Sequence, residues 1–573
     1  MSRGIRPPRQ RARASDRGAL ASALLERGVY GAAIVAVLVF ILWPTLAVVW
    51  ESVLSDEGLT LQRYAGLFSE NAGLLWNSIW IATAATVLSV ALGLVVALYM
   101  RHSKGIRGKV VFGTMLLTMI SPPFVSALSY VMLFGRRGLI TYDLLRLNVN
   151  PYGWHGVLLM QMVGFTPLAA LLIYGVTTGM DPRLEQASLD LGASSFRTFL
   201  KVTLPLARPG IVAAGLITFV RSLSDFGTPI IIGGNFTVLA TEAYLNVIAL
   251  YDMGTAAAMG TLLLLPALVA FVIYRRTMRD SSMYGTPAED AGYPARLPRT
   301  MRVLIALLTW VFVIFVMVKY GTIVSGSFTK TWGVDFSFSL RHWEGLNGSA
   351  IESFWRSIRY SLVAGVGGSF LGLLLAYVIE RRRFPGRRAV EFVAMLPFLI
   401  PGPFFGIGYA IAFRQYPLAL TGTAAIVVLN AMFRQIPVSA KAGAAVLSQA
   451  DPILEDASAD LGASRMRTLV RVVWPQLKPA FLVSFINTFT ATMTTIGAII
   501  FLISPSAKVA TVVMFGAIRS GHIGEGTVFA TLMIVVVLAV NLGFSWLFLR
   551  RSGTSRTKGV GYVSSLEALD QGV

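Results

Sequence analysis

A polar stretch that occurs twice constrains the fold of this chain more than any other feature. The first copy reads EQASLDLGAS at 185–194 and the second reads EDASADLGAS at 455–464. Gly192 therefore matches Gly462 (462 − 192 = 270 positions later). Self-similarity at a fixed spacing indicates an internal repeat, so we expect two halves built on the same plan.

The residues around both copies are too apolar for a soluble protein. The chain is 55% hydrophobic and 13% charged, whereas about 25% of the residues in a soluble domain are charged. Apolar runs of about 20 residues, long enough to cross a bilayer, recur from end to end. We predict an all-α integral membrane protein with about twelve transmembrane helices in two parallel six-helix halves. The predicted spans are 29–50, 74–100, 110–134, 154–178, 210–233, 256–274, 302–324, 358–379, 389–413, 421–446, 480–503 and 526–549.

Polar segments divide these spans into regions. The predicted regions are a basic cytoplasmic N-terminal arm (1–27), a first half (28–276), a cytoplasmic linker (277–300), a second half (301–551) and a cytoplasmic C-terminal tail (552–573). The net charge of +21 comes from basic residues at the ends of apolar runs, which favours contact with lipid over nucleic acid. Loops rich in Lys and Arg remain in the cytoplasm, so we expect both repeated stretches and both termini there.

Other matches between the halves support the repeat. Gly93 matches Gly372 at a spacing of 279 positions, and the turn that begins at Ser121-Pro122 matches Pro401-Gly402 at a similar spacing. The smaller spacing of 270 further along predicts a longer loop in the first half, within 135–154. The prolines in these turns mark either helix ends or hinges.

The repeated stretch has the composition of two short capped helices. In the first copy, Asp181-Pro182 is a good helix start, and Glu185 lies where the helix dipole favours a carboxylate. Gly192 suits the left-handed residue that ends a helix. We expect a second short helix that a proline stops before the next span, Pro205 in this copy and Pro475 in the other. The result would be a rigid knob for a soluble partner. Ordinary capped loop helices are the alternative, which the second copy makes weaker.

This stretch resembles the cytoplasmic coupling loop of binding-protein-dependent ABC importer permeases, in which Glu-Ala-Ala is followed by Gly six residues later and then by Leu-Pro. The matching residues are Gln186-Ala187-Ser188, Gly192 and Leu204-Pro205 in the first copy, and Asp456-Ala457-Ser458, Gly462 and Trp474-Pro475 in the second. Both copies depart from the pattern at its first Glu, and Glu185 and Glu455 precede that position by one residue.

The resemblance implies the permease fold of a type I ABC importer in the bacterial inner membrane. In that family the loop inserts into a groove of the ATPase, so two ATPase copies would bind on the cytoplasmic face and a soluble substrate-binding protein on the outer face. The residues assigned to the ATPase contact are Glu185, Gln186, Ala187, Gly192, Pro205, Glu455, Asp456, Ala457, Gly462 and Pro475.

The fused layout also resembles permeases for ferric iron, phosphonates, sugar phosphates and thiamine. The segment Ser224-Asp225-Phe226-Gly227-Thr228-Pro229 is similar to a motif of the iron group, whereas the segment from Thr494 to Leu502 looks closer to the phosphonate and sugar-phosphate members. Ferric iron is the first candidate cargo. A phosphonate, a phosphate ester or thiamine is the alternative.

We predict no catalytic activity and no cofactor in this chain. The run Gly105–Val110 has the wrong spacing for a phosphate-binding loop and lacks the hydroxyl residue after the lysine. ATP and Mg²⁺ would therefore be used by a partner ATPase. The chain has no cysteine and four scattered histidines, which predicts no metal site.

Charged and polar residues within spans are candidates for the substrate path, because burying them in a membrane is costly. Arg221 and Asp225 lie four residues apart and are expected to share a helix face, either in a structural ion pair or in the path. Arg434 suits an anionic cargo better than a bare ferric ion. The complete set is Arg221, Asp225, Asn430, Arg434, Gln435 and Thr495.

Two rival functions remain at this stage. An ion-coupled secondary transporter with two parallel halves would explain the number of spans but not the two knobs. A membrane scaffold would explain the knobs but not a buried Arg434. Dependence of transport on ATP and on a partner ATPase separates the three possibilities.

Overall fold

The computed structural model describes residues 26–70, 72–103, 105–122, 124–279 and 297–551. Most of the predicted N-terminal arm, most of the predicted linker and the predicted C-terminal tail lie outside these ranges. In the first half the helices are α1 (Glu26–Val53), α2 (Gln62–Glu70), α3 (Ala72–His102), α4 (Ile106–Ile120), α5 (Phe124–Phe134), α6 (Trp154–Thr178), α7 (Pro182–Asp190), α8 (Ser195–Leu223), α9 (Gly227–Ile232), α10 (Leu239–Ile248) and α11 (Met253–Arg279).

The second half repeats this order. Its helices are α12 (Arg299–Ser327), α13 (Arg341–Glu344), α14 (Gly348–Arg381), α15 (Arg387–Met395), α16 (Gly402–Ala412), α17 (Ala424–Arg434), α18 (Ile436–Gln449), α19 (Ile453–Asp460), α20 (Arg465–Thr494), α21 (Ala510–Arg519) and α22 (Ile523–Arg551). One short antiparallel hairpin follows the first helix of each half. Strands β1 (Leu54–Ser55) and β2 (Gly58–Leu59) form the first, and β3 (Thr329–Thr331) and β4 (Asp335–Phe338) form the second.

The described residues contain nine helices that are long and apolar enough to cross a membrane, or 11 spans if each of two bent helix pairs counts as one. The prediction of an all-α membrane protein is confirmed. The predicted span 421–446 is two helices, α17 and α18, which meet at Gln435. Pro437 lies in the first turn of α18, where its missing N–H would have had no partner in any case.

Two predicted spans are sharply bent instead of straight. Helices α4 and α5 meet at 106°. The segment Arg387–Phe398, which contains α15, meets α16 at 115°. The bends fall at Pro122 and Pro401, because a proline ring clashes with the preceding helical turn and removes a backbone donor. Both prolines therefore lie at helix ends. Pro123 lies outside the described residues.

The prediction that Pro205 and Pro475 stop a short second helix is wrong. We call the repeated segments 181–198 and 451–468 the coupling stretches. Helices α8 and α20 begin inside them, at Ser195 and Arg465, and continue through these prolines. A π-helical segment precedes each proline, at Phe199–Thr203 and at Leu469–Val473. The wider π turn changes the hydrogen-bond pattern where the proline has no N–H to donate.

The same helices also end earlier than the predicted spans 210–233 and 480–503. Helix α8 ends at Leu223 and α20 ends at Thr494. The apolar residues that follow fold as the short helix α9 in one half and as a 3-10 turn at Ile499–Phe501 in the other. Hydropathy alone does not separate these short segments from the long helices, since both are apolar.

The first helix of each half packs against the other half. In α1, the backbone oxygen of Phe40 accepts a hydrogen bond from Tyr409 Oη at 2.6 Å, and the Phe40 ring stacks on Phe433 at 4.8 Å. In α12, Trp310 Nε1 donates to Tyr99 Oη at 2.9 Å. The two halves are therefore interlocked by exchanged helices.

Corresponding glycines form close helix contacts in both halves. A Cβ at Gly93 would lie 2.8 Å from Ala169 Cβ, and one at Gly372 would lie 2.3 Å from Ser439 Cβ. Small residues allow such close approach between membrane helices. The repeat seen in the sequence is thus also a repeat of packing.

Candidate functional site

The two coupling stretches have the same capped geometry. In the first, Asp181 Oδ1 accepts from Arg183 N at 2.9 Å, and Ser194 Oγ accepts from Arg197 N at 3.3 Å. The second has the matching bonds from Asp451 and Ser464. A hydroxyl pair closes each stretch, between Ser188 and Thr198 at 3.0 Å and between their counterparts at 2.9 Å.

Both helix-ending glycines adopt the left-handed conformation that the sequence predicts. The φ angle is +84° at Gly192 and +78° at Gly462. This region favours glycine because it has no Cβ. The turn places the residue before each glycine at the tip of the stretch.

The carboxylates of the two stretches anchor them to the membrane helices. Glu185 Oε1 lies 2.7 Å from Arg101 Nη1, and the two side chains are 3% and 5% exposed. Thr203 Oγ1 donates to the same oxygen at 2.7 Å. Glu185 is thus buried beneath helix α7.

The second stretch has a more extensive anchor. Glu455 Oε1 lies 3.0 Å from Arg381 Nε. Next to it, Arg382 Nη2 lies 2.9 Å from Glu26 Oε1, and Arg465 Nη1 lies 3.9 Å from the same oxygen. Because Glu26 belongs to α1, a helix of the first half is tied to the coupling stretch of the second.

The outer surface of each coupling stretch is largely exposed, and its tip is apolar. Leu191 and Leu461 are both 89% exposed, next to the two helix-ending glycines. The sequence analysis did not single them out, although an apolar residue within a polar loop was an available signal. The other assigned residues that are exposed are Gln186, Ala187, Gly192, Pro205, Asp456, Ala457, Gly462 and Pro475.

Helix α3 runs from the coupling stretch to the opposite end of the molecule, which we call the far face. Ser78 Oγ accepts from Leu239 N at 2.8 Å near one end of α3, and Arg101 binds the coupling stretch near the other. The two residues are 23 positions apart, which corresponds to about 35 Å of helix. In the second half, Ser357 Oγ accepts from Ala510 N at 2.7 Å. Residues around 239 and 510 therefore lie at the far face.

Four predicted path residues meet in a narrow crevice of the second half. Arg434 Nη1 donates to Thr495 Oγ1 at 3.5 Å, and Gln435 Oε1 accepts from Asn487 Nδ2 at 3.1 Å. Asn430 is fully buried, and neither polar atom of its amide has a hydrogen-bond partner among the described residues. The crevice is lined by Asn430, Ala431, Arg434, Gln435, Ala491, Thr492 and Thr495.

The other two predicted path residues do not share a helix face. Helix α8 ends between Arg221 and Asp225. Asp225 accepts hydrogen bonds from Gln161 Nε2 and from Thr228 N, both at 3.0 Å. Arg221 is exposed and close enough to Arg434 for the two positive charges to interact. A cation of the first half therefore lies near the crevice of the second.

Aromatic rings close the space between the halves next to the crevice. Phe226 packs on Phe124, Tyr244 and Phe515 at centroid distances of 6.3, 5.1 and 6.0 Å. We call these four rings the aromatic layer. Phe226 also approaches Gly497, whose Cβ position would lie 4.0 Å from its ring. The two motifs that pointed to different cargoes thus meet in one place.

A buried lysine next to the first bent helix pair was missed by sequence reasoning. Lys319 of α12 is fully buried, and its Nζ donates to Ser126 Oγ at 3.2 Å and lies 4.6 Å from the centre of the Tyr320 ring. Ser126 faces Gly164, the repeat counterpart of Arg434. A cation therefore lies beside each bent pair, the buried Lys319 from an exchanged helix and the half-buried Arg434.

Comparison with known proteins agrees with this architecture. The family model described as "binding-protein-dependent transport system inner membrane component" matches residues 89–280 and 368–550, once in each half. The ferric transport system permease protein FbpB of Actinobacillus pleuropneumoniae is 30% identical over 531 residues, which cover 90% of this chain and 77% of that protein.

A putative ferric transport system permease protein of Haemophilus influenzae is 32% identical over 494 residues, covering 83% of this chain and 78% of that protein. A probable ABC transporter permease protein of Sinorhizobium fredii is 23% identical over 471 residues, covering 78% and 82%. With two matches to one family model and an alignment along most of its length, the chain belongs to the family of binding-protein-dependent transport system inner membrane components, as a fused permease with two domains.

Proposed function

We propose that this permease forms the path by which ferric iron is imported across the bacterial inner membrane. The alignment with two ferric transport system permeases along most of the chain is the observation that carries the proposal. The crevice around Arg434 lies between the far face and the coupling stretches, where a path through the membrane requires a polar site.

The two coupling stretches are the proposed docking sites for two ATPase copies. Each presents one highly exposed leucine, Leu191 or Leu461, in a polar surrounding. This end also carries Arg101 and Arg381 at the ends of long helices, which favours a cytoplasmic location for it and for both termini. The far face then receives the soluble substrate-binding protein.

The anchors explain how ATP hydrolysis would be coupled to transport. ATP and Mg²⁺ belong to the ATPase, and this chain is non-catalytic and needs no cofactor of its own. When the ATPase subunits close, they displace the coupling helices. The buried pair of Glu185 and Arg101 passes this movement to α3, and Glu455 with Arg381 passes it to α14.

Co-purification and uptake test this function together. We expect the double variant Leu191→Asp/Leu461→Asp to lose the ATPase during purification and to lose ATP-dependent ⁵⁵Fe uptake in vesicles, since each aspartate places a charge in an apolar contact. The control Leu59→Asp/Leu61→Asp changes two leucines that are 70% and 69% exposed in the segment after α1, and it should retain the ATPase.

Two results would contradict the proposal. If the Leu191/Leu461 variant retained the ATPase and uptake, these tips would not be the docking sites. Uptake of a phosphonate but not of iron by the wild-type assembly would contradict the proposed cargo but not the proposed transport mechanism.

A further inference from the structure

A pocket of about 490 Å³ opens at the far face between the two halves. Helix α10 of the first half contributes Tyr244 and Ile248, and the segment from Ile500 to Ser520 of the second half contributes the remaining walls. Since its walls come from both halves, this pocket lies on the boundary along which a cargo would enter.

Two cations line this pocket without a carboxylate partner. Lys508 and Arg519 are exposed, and neither forms a salt bridge within the part of the chain that the structure describes. By contrast, Lys330 is compensated by Asp335 at 2.9 Å and Arg356 by Glu352. The pocket therefore carries an uncompensated positive charge.

Neighbouring groups hold the side chain of Arg519 and the backbone of Lys508 in place. Arg519 Nη1 lies 3.4 Å from Tyr244 Oη, and its guanidinium lies 5.8 Å from the centre of the Phe515 ring. Arg356 Nη1 donates to the backbone oxygen of Lys508 at 3.3 Å. A pre-positioned guanidinium with a lysine in the same pocket favours an anion with several oxygen atoms, because each charged donor forms a strong hydrogen bond to it.

The remaining walls of the pocket suit the organic part of such an anion. Ile248, Ile500, Ile503 and Val512 line it together with the hydroxyl residues Ser504 and Ser520. None of the described lining residues is an aspartate or a glutamate. A bare trivalent cation would be repelled here, whereas a complex with excess carboxylate or hydroxyl oxygens would be attracted.

We propose that this pocket binds the cargo as an iron(III) complex with a net negative charge, held by oxygen ligands that the complex brings with it. This inference rests on the proposed function and specifies its substrate class. The aromatic layer forms the floor of the pocket through Tyr244 and Phe515. The segment from Thr495 to Ile500 then connects the pocket to the Arg434 crevice, so the path has a second cationic position further in.

Direct binding of ⁵⁵Fe(III) citrate tests the pocket without requiring transport. We would measure it with the full chain in phosphatidylcholine nanodiscs, by equilibrium dialysis. Lys508→Gln and Arg519→Gln should each raise the Kd about threefold, and the double variant about tenfold, as expected for loss of one partly solvated charge contact each. The affinity of the wild type should also fall with rising salt. Arg414→Gln, which removes an exposed arginine that does not line the pocket, should leave the Kd unchanged.

A second arm measures ATP-driven uptake from the same citrate complex and from the uncharged iron(III) tris(acetohydroxamate) by the complete assembly in liposomes. The wild type should take up the anionic complex faster than the neutral one. The double variant should lose uptake of the anionic complex. An unchanged Kd in the double variant overturns the proposal. So does weaker docking of the substrate-binding protein with unchanged citrate binding, because the pocket would then be a protein contact.

The two arms separate this proposal from the proposed function. Absence of iron uptake by the wild-type assembly contradicts iron transport, while the nanodisc measurement still reports on the pocket. Normal iron uptake with unaltered binding in the double variant contradicts only the pocket.

Discussion

At the residue scale, equivalent positions of the repeat carry the same residue in different surroundings. Glu185 is 3% exposed beside Arg101, whereas Glu455 is 20% exposed beside Arg381. The sequence was sufficient to identify both glutamates, because the repeat aligns them. It did not show that they point inward, since their arginine partners lie 84 and 74 positions away in the chain. Only the packing of helices reveals such pairs.

This difference predicts unequal effects of the same substitution. Glu185→Gln should lower the free energy of unfolding by about 3 kcal/mol, because it leaves Arg101 buried without a counter-charge. Glu455→Gln should cost about 1 kcal/mol or less, since water partly screens that pair. Thermal unfolding in detergent measures both variants.

The double variant Arg101→Met/Glu185→Leu provides the control for the buried pair. It removes both charges together and should recover most of the lost stability. Equal losses for Glu185→Gln and Glu455→Gln would contradict the difference in burial on which this prediction rests.

At the element scale, the coupling stretch shows which local rules are sufficient. The caps at Asp181 and Ser194 and the left-handed Gly192 follow from the sequence and are present in the structure. The rule that proline stops a helix failed at Pro205. It assumes regular α-helical hydrogen bonds before the proline, and here a π-helical segment takes their place. No residue pattern in the sequence distinguishes the two possibilities.

The glycine that ends each coupling helix can be tested alone. Gly462→Ala should lower the free energy of unfolding by about 1 kcal/mol, because a φ angle of +78° strains a residue with a Cβ. Steric overlap should not add to this cost, since no neighbouring atom lies within 4 Å of the new methyl group. The strain should distort the tip that carries Leu461 and weaken ATPase binding. Co-purification and the stimulation of ATP hydrolysis by the permease measure this effect.

Gly175→Ala is the matched control. Gly175 also has no neighbour within 4 Å, but it lies within helix α6, where alanine is favoured over glycine. We expect unchanged or slightly higher stability and normal ATPase binding. Similar losses in both variants would mean that the left-handed turn is not the cause.

At the scale of the whole molecule, the repeat predicted two parallel halves but not how they are joined. The exchange of α1 and α12 leaves no trace in hydropathy, since a helix is equally apolar whichever half it contacts. It becomes visible in single contacts, such as Phe40 with Tyr409 and Tyr99 with Trp310. Pairings between distant segments are decided by shape, which one sequence does not display.

The exchange predicts that the halves stay together after the chain is cut. A protease site inserted between Thr286 and Pro287, within the predicted linker, would yield two fragments. We expect them to co-purify in mild detergent after cleavage, because α1 and α12 each bury contacts against the other fragment. Size-exclusion chromatography followed by denaturing gel electrophoresis measures this association. Separation of the fragments in mild detergent would contradict the interlocked arrangement.

The aromatic layer has a consequence for the energy supply of the cell. A bacterial membrane stores its proton gradient as a voltage, and each charge that leaks across 100 mV dissipates about 2.3 kcal/mol. Packed rings such as Phe226 and Phe515, whose centres lie 6.0 Å apart, exclude water from the space that they fill. The layer would then act as an electrical insulator between transport cycles, allowing a scarce nutrient to be imported without short-circuiting the membrane.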